Sequence, residues 1–232
     1  MPKQTLVLAP GLGSDGAVWR RTVVALGDDC HCLVGDTLAD DTLAGMARRI
    51  LDQAPPSFAL AGVSMGGMVA MEMMKAAPER VAQLALIDTN ARPDTLRQKI
   101  YRRLANVVVG TSKDYGRLAQ RNLGSLVHPS AANDVRAELV QMSVRVGPQT
   151  YMRQNRAVSA RGDLRKVLPK VAIPTAVIVG QDDQMTPVAL SQEIHALVPG
   201  STFHIIPDCG HLPPIEKPDI VATLLKALLA RR

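Results

Sequence analysis

Residues 58–77 read FALAGVSMGGMVAMEMMKAA: an apolar run, then Gly62-Val63-Ser64-Met65-Gly66, then a small-residue, Met-rich helical pattern. No other stretch constrains the fold as tightly. A strand must turn abruptly into a helix with a serine at the apex of the turn. The flanking glycines, Gly62 and Gly66, answer a steric demand, because so tight a turn brings backbone close on both sides and strains the central residue. Ser64 is thereby displayed at a helix N-terminus. Unpaired N–H groups and the positive end of the helix dipole favour a developing negative charge there.

The rest of the chain supplies the setting such a turn needs. Thr5–Ala9, Cys30–Val34, Phe58–Val63, Gln83–Asp88, Thr175–Val179 and Thr202–Ile206 are short apolar runs that read as strands. Between them lie helical patterns: 17–26; a segment with Leu43, Met46, Ala47, Ile50 and Leu51 on one face, for which Asp41 is a candidate cap; and 65–77, closed by Pro78. A further helix is expected behind Thr186-Pro187, with Thr186 as its cap and Pro187 at its first position, and a last one over 220–229 behind Pro218. Continuous apolar strands alternating with helices predict a parallel sheet covered on both faces. The 232 residues and 47% apolar content suffice for one large domain, or a core with an insertion. With 3% aromatics, Leu, Val, Ala and the ten Met must fill its interior.

The alternation lapses between residues 93 and 165, where the chain reads as helical, with breaks near Gly110, His128-Pro129, Gly147-Pro148 and Gly162. The expected organisation is therefore a core of residues 1–92 and 166–232, interrupted by an all-helical insertion at 93–165. Charge marks the same segment. From Arg92 to Lys170 there are 16 Lys and Arg against 5 Asp and Glu, a net +11, whereas the chain as a whole carries +6. Such an asymmetry suits solvated helix faces, and also an anionic substrate or an acidic partner.

A serine alone is a poor nucleophile; it needs a base, an acid to orient that base, and donors for an oxyanion. Each has a candidate at a strand end, where ligands bind in such sheets. His211 lies in Asp208-Cys209-Gly210-His211-Leu212-Pro213, a glycine- and proline-held loop that displays it. His31 and His204 fall within strands, His195 in mid-helix and His128 in the insertion, all positions that suit structural roles. In Gly180-Gln181-Asp182-Asp183-Gln184-Met185-Thr186-Pro187 either aspartate could serve on chemistry alone, and the position of Asp183 suits a carboxylate aimed at His211. Glycines in Ala9-Pro10-Gly11-Leu12-Gly13-Ser14 let a backbone N–H turn inward, so Leu12 and Met65 N–H would form the donor pair. The order Ser, Asp, His is the one that goes with this kind of turn.

With these segments in place, the chain resembles the α/β-hydrolase family over essentially its whole length. GVSMGG, GQDDQMTP and GHLPPIEKP are similar to its three catalytic signatures, and APERVAQLALIDTNAR to the stretch after the elbow in small bacterial esterase-like members. The resemblance implies Ser64 as nucleophile, His211 as base, Asp183 as its partner, and Leu12 and Met65 at the oxyanion positions. It implies a three-layer α/β/α core of about six mainly parallel strands in the order 2-1-3-4-5-6, with residues 93–165 as a helical cap. One departure is Pro10, where the family usually has histidine. Asp88, after the fourth strand, is where some relatives place the acid; here it reads as a structural loop residue.

The activity expected is hydrolysis of a carboxylic ester, without metal or organic cofactor, on an anionic acyl group or one presented by an acidic carrier protein. Acyl transfer or perhydrolysis on the same residues, and a ligand-binding sensor, are the alternatives. No apolar run approaches the roughly 20 residues that span a bilayer, and MPKQTLVLAPGLG lacks a cleavage region. Cys30, Cys32 and Cys209 lack C-x-x-C spacing, and Cys30-His31-Cys32 has no further ligand pair. A cytoplasmic, monomeric or weakly oligomeric enzyme binding neither nucleic acid nor membrane is expected.

Overall fold

A computed structural model of the protein describes residues 3–231. Strands β1 (Thr5–Ala9), β2 (His31–Val34), β3 (Phe58–Val63), β4 (Val81–Ile87), β5 (Thr175–Gly180) and β6 (Thr202–Ile206) form one sheet in the order β2-β1-β3-β4-β5-β6. Every pairing is parallel. The expected order is the observed one. Its central strands carry the physics: all six residues of β3 and of β5 are buried, while edge strand β2 is exposed at both ends. Both faces of the central strands are covered, so they read as continuous apolar runs.

The pleat divides the core in two. Val7, Leu60, Leu84, Leu86 and Val177 face α2 (Leu43–Gln53), α3 (Met65–Ala76) and α7 (Val188–Leu197). Leu6, Leu8, Ala61, Ala85 and Ile178 face α1 (Ala17–Leu26) and α9 (Pro218–Leu229). Five of the ten Met lie buried on α3, filling the space that aromatic residues leave. A short helix α8 (Pro213–Glu216) links the last strand to α9.

Two caps differ from expectation. Thr42, not Asp41, caps α2, its hydroxyl accepting Gly45 N–H at 3.0 Å. Thr186 does not cap α7; Pro187 holds that position, and the Thr186 hydroxyl is committed to Asp183. The last helix starts at Pro218, whose fixed φ suits a first turn.

Between β4 and β5 run α4 (Leu96–Thr111), α5 (Tyr115–Leu126) and α6 (Asn133–Ser159). The expected break near Gly110 falls just after it, where α4 ends at Thr111. At Gly147, with φ 78°, α6 kinks ahead of Pro148 as expected. These helices pack with an unusual sense. The inner side of α4 is polar: Arg102 donates to Asp94 at 2.6 Å and Asn155 at 2.7 Å, and Asn155 donates to Asn106 at 2.7 Å. Arg161 closes that network on Asp94 at 2.8 Å, both side chains 1% exposed. The outer side bears Leu96, Ile100, Tyr101, Leu104, Val107 and Val108, all exposed. No helix among the described residues is long and apolar enough to cross a membrane.

Candidate active site

The site begins with the turn after β3. Ser64 adopts φ 56° and ψ −119°, a strained conformation for a residue with a side chain. Its surroundings hold it there: Ser64 N–H donates to Ile87 O at 2.9 Å, and Thr89 Oγ1 donates to Ser64 O at 2.7 Å. The two glycines are obligatory for a concrete reason. A Cβ on Gly62 would sit 2.3 Å from Gly66 O, and one on Gly66 would sit 2.0 Å from Ala9 O. Strand β1, the turn and α3 thus touch through backbone alone.

Three strand ends bring the side chains together. Ser64 Oγ lies 2.8 Å from His211 Nε2, and His211 Nδ1 lies 2.8 Å from Asp183 Oδ2. His211 and Asp183 are both buried. The Asp183 carboxylate is held on all sides. Oδ1 accepts Met185 N–H at 2.7 Å and Thr186 N–H at 2.9 Å, while Oδ2 also accepts the Thr186 hydroxyl at 2.6 Å. Burial works to raise its pKa. Hydrogen bonding and electrostatic attraction to His211, with the bond from Thr186, outweigh burial and hold it well below the usual carboxylate range. The neighbouring Asp182 turns outward, with its carboxylate 3.7 Å from His128 Nε2.

The histidine loop is anchored independently of Asp183. His211 N–H donates to Leu126 O at 2.9 Å, at the end of α5. Glu216 accepts Gly210 N–H and Leu212 N–H, each at 3.1 Å, and His128 N–H at 2.8 Å. Of the remaining histidines, His195 bonds Ser201 and stacks on Phe203, His204 bonds Thr202, His128 bonds Ser130, and His31 is exposed at the start of edge strand β2.

On the opposite side of Ser64, neither Leu12 N–H nor Met65 N–H donates to a protein acceptor among the described residues. The loop carrying Leu12 is pinned from the helical segment. Gln154 of α6 is fully buried, accepts Gly13 N–H at 2.8 Å and donates to Thr37 O at 3.0 Å. Nothing in the sequence near Gln154 announces this, since its partner lies 141 residues away. Glu216 is hidden in the same way. Thr186 stood in the acid's loop but read as a helix cap.

Asp88 also lies here. It is fully buried, with φ 42°, and forms a group with Asp183 and His211 in which one ligand atom from each lies within 4.8 Å of the others. Such a trio has the composition of a metal site. The His211 and Asp183 atoms are otherwise engaged, however: both His211 nitrogens and both Asp183 oxygens are already hydrogen-bonded. As it stands, the arrangement is suited to passing a proton between Ser64 and an imidazole that a carboxylate orients.

Known proteins are similar to this chain over most of its length. Residues 6–224 match the model of the alpha/beta hydrolase family. The chain belongs to that family. Among curated relatives, a pimeloyl-[acyl-carrier protein] methyl ester esterase of Aliivibrio salmonicida is 26% identical, the match covering 97% of this chain and 91% of the relative. The Karrikin insensitive 2 receptor CA of Petunia hybrida is 25% identical over 96% of this chain and 90% of its own. Among solved structures, a malate-bound thermophilic esterase from Thermogutta terrifontis superposes with a TM-score of 0.86 at 28% identity, covering 98% of this chain and 90% of that one.

Proposed function

We propose that this protein cleaves a carboxylic ester through an acyl-enzyme on Ser64, and that its substrate is anionic or is presented by an acidic carrier protein. The chain is a carboxylic ester hydrolase of the alpha/beta hydrolase family. The observation that carries the assignment of residues is the unbroken line from Ser64 Oγ through His211 to Asp183, at 2.8 Å for each step. Asp183 keeps the proton on His211 Nδ1, leaving Nε2 free to accept the proton of Ser64 as Oγ attacks the ester carbonyl. The carbonyl oxygen gains negative charge against Leu12 and Met65 N–H, neither of which has a protein acceptor among the described residues. The imidazolium then protonates the departing alcohol. Water gives its proton to Nε2, attacks the acyl carbon and releases the acid, restoring Ser64.

Helices α4–α6 serve as the cap in this reading, and their charges support an acidic partner. Much of the excess is internally compensated: Arg102 and Arg161 on Asp94, Arg145 on Asp15, Arg165 on Asp163 and Glu193. Arg97, Lys99 and Arg103 of α4, with Lys113, Arg117 and Arg121 beside it, have no carboxylate partner among the described residues. These cations border the exposed apolar side of α4. A surface of that kind suits a partner that is acidic and partly apolar. The esterase relative, named for an acyl-carrier protein substrate, points the same way.

The test is a panel of chromogenic esters of graded acyl length, neutral and carboxylated, turned over by wild type and Ser64→Ala. Turnover confined to wild type, with kcat/KM for the carboxylated esters falling as salt is added, supports the reading. Equal salt response for both classes removes the anionic substrate. A second reading, a ligand-responsive receptor with slow turnover, is favoured by the petunia relative. Ligand binding that survives in Ser64→Ala, with negligible turnover in wild type, would select it.

A further inference from the structure

Asp88 is a buried acid for which ester hydrolysis as described has no use. Its position is enforced. Asp88 N–H donates to Ile178 O at 3.0 Å, and Asp88 Oδ1 accepts Gly180 N–H at 3.0 Å, joining the end of β4 to the end of β5. Gly180 is itself wedged, for a Cβ there would lie 2.0 Å from Gly210 O in the histidine loop. The other oxygen, Asp88 Oδ2, is buried without a donor among the described residues. Yet carboxyl oxygens of Asp88 and Asp183 lie within 4.8 Å of each other, both side chains buried. Two carboxylates cannot donate to each other, so a bond between them requires one to hold a proton. Asp183 is already satisfied as an anion by four donors. The proton therefore falls to Asp88.

We propose that Asp88 is a positioning residue that stays protonated in the working enzyme and donates its carboxyl O–H to Asp183, fixing the carboxylate that orients His211. The inference rests on the reading of Asp183 as the acid that orients His211. The groups facing Asp88 agree with it. Burial, Asp183 and Glu216 all oppose its ionisation, against one backbone N–H from Gly180 that favours it; together they raise its pKa well above the ordinary carboxylate value. The nearby Cys209 thiol is likewise pushed up by burial. A possible cation, His211, spends its Nδ1–H on Asp183.

Asparagine mimics a protonated aspartate at this site: its oxygen can accept Gly180 N–H and its amide can donate to Asp183. The test compares wild type, Asp88→Asn and Asp88→Ala. Expected are a kcat in Asp88→Asn within about 3-fold of wild type, and a kcat in Asp88→Ala lowered about 10- to 100-fold with KM little changed, as for a misplaced catalytic group. Infrared difference spectra of wild type minus Asp88→Asn at neutral pH should show a carboxylic-acid C=O band. The melting temperature adds a linkage readout. A carboxyl whose folded pKa is raised contributes stability in full below its unfolded pKa, about 3.9, and loses it as pH rises toward the folded value. Asp88→Asn should therefore gain on wild type as pH rises above about 4. A carboxylate band in place of the acid band, a melting-temperature difference that does not change with pH, or an Asp88→Asn variant as impaired as Asp88→Ala would overturn the proposal. So would an unimpaired Asp88→Ala. The infrared and melting readouts need no turnover, so they separate failure of this inference from failure of the esterase reading.

Discussion

The ends of the sheet and the helices between β4 and β5 are built on opposite rules. At the strand ends polar groups are paired and backbone meets backbone, so the positions of Ser64, Asp183 and His211 follow from contacts that tolerate no side chain at Gly62 or Gly66. In α4, Arg102 and Asn106 hydrogen-bond inward beside buried Val109, while Leu96, Ile100, Leu104 and Val107 stay exposed. A parallel sheet must bury apolar surface on both faces, and the ligands gather at its edge. A helix that shows Leu96, Leu104 and Val108 to solvent has part of its packing supplied from elsewhere. The difference separates a tightly fixed strand edge from a helix whose apolar side chains remain exposed; under the proposed function the first carries the chemistry and the second the choice of substrate.

Breaking the edge should have the largest effect. Asp183→Asn leaves His211 without its orienting anion and should lower kcat about 10⁴-fold, measured on the best ester of the panel. Asp183 also sets the acid limit. Its folded pKa is depressed, so its stabilisation is complete above about pH 3.9 and lost as pH falls through the lower folded value. Acid unfolding of Asp183→Asn, followed by circular dichroism, should lack that contribution. Next comes the buried network beneath α4. Asp94→Ala strands Arg161 as an uncompensated buried charge and should cost about 3–5 kcal/mol in urea unfolding. The joint between the two regions is Gln154, and Gln154→Ala frees the Leu12 loop. A loss of roughly 10-fold in kcat with little change in melting temperature is expected from a small misplacement. The surface itself should show the smallest effect. Arg117→Glu together with Arg121→Glu should raise KM several-fold for a carboxylated or carrier-bound ester at low salt. It should leave the neutral ester and stability, within about 0.5 kcal/mol, unchanged. Equal loss on both esters would place substrate selection elsewhere.

The same contrast explains what the sequence disclosed. Strand positions and the turn at Ser64 were legible because apolar periodicity and glycine spacing are local signals, whereas the sheet order came from the family resemblance. That Ser64, an aspartate and His211 sit in loops after β3, β5 and β6 was legible from the strands, and the choice of Asp183 over Asp182 came with the resemblance. Residues that act across the fold were not. Gln154 reads as one more polar residue on a helix, and its bond to Gly13 exists only once α6 lies over the first loop. Glu216 gathers three N–H groups from segments 4, 6 and 88 residues away. Asp88 was seen as a structural loop residue, yet its depth beside Asp183 depends on strand pairing. The helices of 93–165 were visible from composition, but which face looks outward was not. The exposed apolar residues of α4 depart from the rule that apolar faces turn inward.

The claim that holds the account together is that Ser64 carries the acyl group. Intact-mass spectrometry of the protein quenched during turnover of a slow ester, followed by peptide mapping, tests it directly. The account predicts one added acyl mass, on the peptide containing Ser64, absent in Ser64→Ala. Steady turnover with an acyl mass on another residue, or with none under conditions where hydrolysis of the intermediate limits the rate, would contradict it.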